Sequence, residues 1–255
     1  MSERNGYPQG VPCWADVATD DPEAGRAFYA ALFGWEWEVN PDPSFGGYSM
    51  ALLRGKKVVG LAGKMDASQP SAWTPYLAVD DADKFAAAVP DAGGTMVSPV
   101  MDIEGAGRMA LATDPAGAVF GVWQQQEHRG SELVDEPGTV VWNELISSDL
   151  DAAGAFFAAT LGVAFEDMDT GGDGVYKLLQ VDGRTVGGAT PLLPEMSPHW
   201  GIWFEVADAD ATLARAQELG GSVYRAVEQT PQGPRAVLVD PQGVAFGVIA
   251  SGSTE

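Results

Sequence analysis

The apolar positions of this 255-residue chain alternate in short runs, shift to helical spacing, and alternate again, four times over. Residues 11–19 alternate as a strand does. Asp20-Asp21-Pro22-Glu23 then supplies an N-cap, a proline suited to the first helical turn and acids at the positive end of the helix dipole. Ala24, Ala27, Phe28, Ala31 and Leu32 follow at helical spacing, and Gly34 is the expected stop. Three strand-like runs come next, near 35–39, 48–53 and 58–63, the last two joined by the turn Arg54-Gly55-Lys56-Lys57. Residues 74–123 repeat the order, with a helix expected over 81–92, ended by Gly93-Gly94, and strands near 95–99, 108–113 and 118–124. Residues 139–190 and 200–250 repeat it again. The pattern predicts an α+β fold of four βαβββ units.

Those units are one half written twice. Trp14-Ala15-Asp16-Val17 with Asp21 and Gly34 returns as Trp142-Asn143-Glu144-Leu145 with Asp149 and Gly162, and 142 − 14, 144 − 16, 149 − 21 and 162 − 34 all equal 128. Val79-Asp80-Asp81 returns as Val206-Ala207-Asp208, and Asp114-Pro115-Ala116-Gly117 as Asp240-Pro241-Gln242-Gly243. A duplicated domain follows, with bounds expected at 9–126 and 138–251 and a polar linker at 127–137.

Composition narrows the function. A formal charge of −22, with no basic stripe, argues against nucleic acid or an anionic membrane as partner. The acids are spread over both halves, which describes either a solvated surface or a field that draws a cationic ligand. The single Cys13 allows no internal disulfide. With no charged-then-apolar leader and no apolar run long enough to span a bilayer, a cytoplasmic protein is expected. No glycine-rich phosphate loop, Cys-His or Ser-His pairing, or zinc-type cysteine spacing is present.

The helix running from Asp21 to Phe28-Tyr29, the strand ends at Val79 and Val206, and the paired Asp-Pro-x-Gly turns before Phe120-Gly121 and Phe246-Gly247 resemble the vicinal oxygen chelate superfamily of glyoxalases, extradiol dioxygenases and bleomycin-binding proteins. More narrowly, the chain looks like tandem glyoxalase-like proteins of actinobacteria. The resemblance implies two tandem glyoxalase-like domains, each curling its sheet around a cavity that holds a divalent ion. It also implies a monomer or weak homodimer, since one chain supplies the pairing that single-domain relatives obtain by dimerising. The ligand positions it implies fall on Trp14, Gly60, Thr74 and Gly121, then on Trp142, Gly188, Gly201 and Gly247. None offers the carboxylate or imidazole that such an ion wants. His128 and His199, in the linker and just before a strand, are not placed to replace them. No metal and no cofactor is therefore expected.

Strand parity suggests what takes the metal's place. Side chains alternate faces, so if position 14 points into the cavity, Asp16 does too, with Thr74 and Tyr76, and Trp123 beside Gly121. The second half groups Trp142 with Glu144, and Trp203 and Glu205 with Gly201. Arg108 and Arg235, related by a shift of 127, either pair with these acids, bind a substrate carbonyl or carboxylate, or form rim salt bridges. Two functions of different class fit. One is a metal-free binding protein for a small aromatic or cationic metabolite, with a sequestration, resistance or accessory role in natural-product metabolism. The other is a lyase, isomerase or cyclase in which Asp16 or Glu144 is the general base on a carbonyl-containing aromatic substrate. Against both stands the plainer possibility that the tryptophans only fill a collapsed barrel.

Overall fold

The computed structural model describes residues 3–42, 46–66, 69–172 and 174–252. Its strands form two curled sheets. The first collects β1 (Pro12–Thr19), β2 (Glu36–Val39), β3 (Ser49–Leu53), β4 (Lys56–Gly63), β5 (Ala72–Ala78), β6 (Thr95–Met96), β7 (Met101–Ile103), β8 (Gly107–Thr113) and β9 (Val119–Gln125). The second collects β10 (Val140–Ser147), β11 (Ala164–Asp167), β12 (Lys177–Val181), β13 (Arg184–Pro191), β14 (His199–Glu205), β15 (Ser222–Thr230), β16 (Gly233–Val239) and β17 (Ala245–Ile249). Their orders, β2-β3-β4-β1-β5-β9-β8-β6 and β11-β12-β13-β10-β14-β17-β16-β15, are the same path walked twice. Two βαβββ units meet in each sheet at one antiparallel seam, β1 on β5 and β10 on β14. The second unit carries β7 as an extra short strand on β8.

Helices α1 (Pro22–Phe33), α2 (Ala82–Ala88), α3 (Leu150–Leu161) and α4 (Ala209–Glu218) follow the first strand of each unit. Asp21 caps α1 by accepting from the Glu23 and Ala24 N–H groups, and Asp149 caps α3 by accepting from Ala152. Gly34 and Gly162 end those helices at φ 75° and 72°, where any other residue would be strained. The helix expected over 81–92 stops at Ala88. Pro90 has no N–H to continue the ladder, so the chain leaves the helix through turns.

Parity divides each sheet cleanly. Val17, Leu61, Trp73, Phe204, Phe246 and Val248 lie on the outer faces, where they form one core with Phe28 and Tyr29 of α1. Leu77, Phe120, Leu145 and Leu179 form the matching core with Phe85 of α2 and Phe156 and Phe157 of α3. Unit one thus packs on unit four and unit two on unit three, and the two sheets stand back to back with their inner faces turned outwards. Gln242 ties the first pairing down, accepting from Asp21 N–H and donating to Asp21 C=O.

The segment 127–137 is more than a solvated connector. It runs as a strap over the first sheet: Ser131 donates through N–H to Cys13 C=O and through its hydroxyl to Val58 C=O, while Glu132 and Lys57 bond reciprocally. His128 and Leu133 are buried beneath it. Among the described residues no helix is long and apolar enough to cross a membrane.

Candidate functional site

The inner face of each sheet carries the same three-residue relay. In the first half Trp14 Nε1 donates to the Tyr48 hydroxyl at 2.8 Å, and that hydroxyl donates to Asp16 Oδ2 at 3.3 Å. In the second half Trp142 Nε1 donates to the Tyr176 hydroxyl at 2.9 Å, which donates to Glu144 Oε1 at 2.9 Å. Trp and acid sit two residues apart on one strand, so both project inward. In each half the tyrosine arrives from the residue just before a strand, β3 in one and β12 in the other.

The relay fits because glycine stands beside it. Gly60 pairs with Asp16 and Gly188 with Glu144 across β1/β4 and β10/β13. A Cβ added at Gly60 would lie 2.2 Å from the Tyr48 oxygen, and one at Gly188 would lie 2.0 Å from the Tyr176 oxygen. The last strands repeat the device: a Cβ at Gly121 would fall 2.2 Å from the Tyr76 ring, and one at Gly247 would fall 2.3 Å from the Trp203 ring. Four glycines therefore make room for two hydroxyls and two ring faces.

Asp16 is half-buried and its carboxyl is pushed up to about 7 by burial, partly offset by hydrogen bonds from Tyr76 and Tyr48. Both tyrosines are raised in turn, first by burial and then by the Asp16 charge. Thr74 pairs with Asp16 across the seam and is partly accessible.

Behind Asp16 the first cavity is shut. Trp14, Tyr76 and Trp123 are buried together with Cys13 and Ala78. His128 stands edge-on to Trp14 at 4.5 Å between ring centroids and 5.4 Å from the Trp123 ring, while its carbonyl accepts from Trp123 Nε1. The histidine assigned from sequence to a linker, away from the site, thus plugs it. Burial holds its pKa down to about 4, with the Lys57 charge acting in the same direction and Glu132 against it. Its Nε2 is buried with no partner among the described residues.

In the second half Trp142 is partly accessible where Trp14 is buried. Glu144 and Tyr176 are partly accessible as well, and Ile249 takes the place of Trp123. Arg235 stands over Trp203, its Cζ 5.5 Å from the ring centroid, and its Nε donates to Glu228 Oε1 at 2.7 Å.

Two residues expected in the cavities have other duties. Arg108 lies on the outer face, where it grips Asp83 of α2 with both Nη atoms at 2.7 and 3.1 Å. Its supposed equivalence to Arg235 fails by one residue. Leu111 pairs with Gly121 as Val237 pairs with Gly247, so the shift on this strand is 237 − 111 = 126 and the counterpart of Arg235 is Met109. One residue of slip on a strand reverses the face. Glu205 is engaged at both oxygens, by the Ser251 hydroxyl at 2.5 Å and the Ser251 N–H at 2.9 Å, and fastens the end of the last strand. A cleft of about 570 Å³ lies between the halves, lined by Tyr7, Cys13, Asp135 and Arg184 and reached by Trp14 and Trp142.

Sequence reasoning missed Tyr48 and Tyr176. The signal was available, since 176 − 48 is again 128.

The profile of the glyoxalase-like domain matches residues 14–123 and again 140–249. The chain belongs to the glyoxalase-like domain family. Among its relatives, a putative glyoxylase, CFP32, of Mycobacterium bovis is 42% identical over 255 residues, covering 98% of each chain. The anthracycline biosynthesis protein DnrV of Streptomyces peucetius is 40% identical over 260 residues, covering 95% of this chain and 94% of its own. Among solved structures, the Mn(II)-bound glyoxalase from Novosphingobium aromaticivorans superposes with a TM-score of 0.67 at 18% identity, covering 96% of this chain and 83% of that one. The 2,3-dioxygenase LapB from Pseudomonas sp. KL28 gives 0.66 at 14% identity, covering 96% and 93%. These likenesses establish the vicinal oxygen chelate fold.

Proposed function

We propose that this glyoxalase-like protein binds a small planar aromatic metabolite on the inner face of its second sheet without a metal ion, the matching space in the first being filled by His128. The observation that carries the proposal is the glycine exchange at the positions where the resemblance places metal ligands. At Gly60, Gly121, Gly188 and Gly247 a tyrosine hydroxyl or an aromatic ring takes the space in which a ligating side chain would begin. Trp14, Trp142 and Thr74 at the remaining positions supply indoles and one hydroxyl, and Gly201 supplies no side chain. That donor set does not fit a divalent ion, and among the described residues no three His, Cys, Asp or Glu side chains gather elsewhere to hold one. What the cavities present is ring faces with a hydroxyl and a carboxylate at one end, the character of a site for a flat ligand with one or two polar handles. The named role of DnrV in anthracycline biosynthesis supports a setting in natural-product metabolism.

Asp16 favours a second reading. A carboxyl near 7, beside two phenolic hydroxyls and partly accessible, has the properties of a general base that takes a proton next to a carbonyl while Tyr48 or Tyr76 donates to the developing oxyanion. In that reading the protein is a metal-independent lyase, isomerase or cyclase.

Titrating a panel of hydroxylated naphthoquinones and anthraquinones against tryptophan fluorescence tests the first reading, with product analysis for the second. Binding is expected to quench Trp142, and Trp142→Ala to weaken it by roughly 1–3 kcal/mol. A stoichiometric manganese or zinc site in either cavity would overturn the metal-free assignment. Asp16→Asn separates the two: it spares neutral ligands if the protein only binds, and abolishes turnover if Asp16 is the base.

A further inference from the structure

Among the differences between the two cavities, one matched set of positions carries charge in one half only. On the inner face of the first sheet, Met109 of β8 pairs with Trp123 on one side and with Met101 of β7 on the other. On the second sheet, Arg235 of β16 pairs with Ile249 on one side and with Glu228 of β15 on the other. Two methionines in one half are thus an arginine and a glutamate in the other. A guanidinium, one third exposed and paired with Glu228, stands where the sister domain keeps a methionine, and that exchange needs a reason.

The way Arg235 is held supplies that reason. Glu228 takes its Nε, and its Cζ stands over Trp203, 5.5 Å from the ring centroid. Those two contacts hold the guanidinium at Nε and against the indole. Among the described residues neither Nη atom has a hydrogen-bond partner in the protein. A pre-oriented pair of donors is the arrangement that recognises a carboxylate in bidentate fashion. The charge is also felt at the far side of the cavity, where it opposes the rise that burial and Glu144 impose on the Tyr176 hydroxyl. Arg235 and the Trp142–Tyr176–Glu144 relay therefore look into one space.

We infer that the second cavity selects a planar aromatic acid, with Arg235 receiving the carboxylate and the relay receiving a hydroxyl at the opposite end of the ring system, whereas the first cavity, with Met109 at that position, takes no charged group. Glu144, already accepting from Tyr176, is suited to accept from a phenol and would repel a second carboxylate, which fixes the orientation of such a ligand. The inference rests on the proposal that the second cavity binds flat aromatics, and it names the ligand class.

The test uses the full chain and two matched probes, 6-hydroxy-2-naphthoate and 6-hydroxy-2-naphthamide, followed by tryptophan quenching. The wild type is expected to bind the acid at least ~10-fold more tightly than the amide, the scale of one charge-assisted bidentate contact. Arg235→Met should abolish the preference, bringing the acid down to the level of the amide. Arg235→Gln, which keeps polar bulk, should give the same loss, and melting curves of both variants establish that each is folded. Met109→Arg should leave the second cavity's preference intact. Equal binding of both probes to the wild type overturns the role of Arg235 but leaves aromatic binding standing. A preference that survives in both Arg235 variants also overturns it, placing the anion elsewhere. Absence of quenching by either probe counts against the binding reading as a whole and removes this inference with it.

Discussion

Tyr29 and Phe157 hold the same place in the two halves and differ by one hydroxyl. The Tyr29 oxygen accepts from Trp73 Nε1 and donates to Asp240 Oδ2, both at 3.1 Å, so it closes a buried bridge between unit one and unit four. Phe157 stands edge-on to Trp200 at 5.8 Å, as Tyr29 does to Trp73 at 5.5 Å. Trp200 Nε1 and Asp114 Oδ2, the counterparts of the two bridged groups, are buried with no partner among the described residues. Phe157→Tyr should therefore stabilise the fold by about 1–2 kcal/mol, and Tyr29→Phe should cost about 1–3 kcal/mol, because it strands two groups that are now bonded. Chemical denaturation of both variants checks the pair. Loss of stability in Phe157→Tyr would show that the second core has no room for the oxygen.

The fold was legible because its signals are local. The Asp-Pro-Glu start of α1, the glycine stops at 34 and 162 and the alternating strands act within a few residues of one another, and duplication let each half vouch for the other. The site was less legible. Trp14, Asp16, Trp142 and Glu144 followed from parity, but Tyr48 and Tyr176 reach the acids from loops, and only the constant shift pointed to them. Arg108 was misplaced because the shift drifts along the chain, from 128 at Trp14 to 127 at Val79 and 126 at Asp114. The burial of His128 depends on the path of the strap over the first sheet, a tertiary event with no periodic trace.

Stability should respond to pH in two opposing ways. Asp16 has a folded pKa of about 7, above the unfolded value of about 3.9. Its contribution is thus full below pH ~3.9 and is lost as pH rises to about 7. His128 has a folded pKa of about 4, below the unfolded value of about 6.5. Its contribution is full above pH ~6.5 and is lost as pH falls towards 4. Asp16→Asn should match the wild type near pH 4 and exceed it at pH 8 by roughly 1–3 kcal/mol. It should also leave the acid-side decline due to His128 exposed, and His128→Gln should flatten that decline. Denaturant midpoints from pH 4 to 8 decide; a gap that does not widen with pH would mean that Asp16 is ionised in the fold near pH 4.

The glycines beside the relay predict a graded effect of adding one methyl group. At Gly188 the new Cβ meets the hydroxyl end of the Tyr176 ring, the oxygen at 2.0 Å, Cζ at 2.5 Å and Cε1 at 2.7 Å, on a partly accessible side chain that can swing aside. Gly188→Ala should therefore cost little stability, about 1 kcal/mol, but break the hydrogen bond to Glu144 and weaken binding in the second cavity. At Gly247 the Cβ meets the body of the Trp203 ring, which β17 and Arg235 hold in place. Gly247→Ala should cost about 2–3 kcal/mol through overpacking. Melting temperatures and probe titrations on the two variants check the order, and the reverse order would refute the packing argument.

Opening the first cavity is the most direct check on how the halves differ. His128 lies against Trp14 and Trp123 and has no partner for Nε2, so its ring fills space more than it bonds. His128→Ala should cost about 1–3 kcal/mol, the range for removing a buried ring of this size. It should also expose Trp14 and Trp123 to a collisional quencher such as acrylamide, to which the wild type gives them little access. The contacts of Ser131 and Glu132 with β1 and β4 hold the strap independently of the ring, so the backbone is expected to stay and leave a pocket behind Asp16. A neutral planar probe should then bind with a stoichiometry one higher than in the wild type, and Trp14→Ala in the same background should remove that added site without touching the one at Trp142. If acrylamide quenching and stoichiometry are both unchanged in His128→Ala, the strap rather than the histidine closes the first cavity.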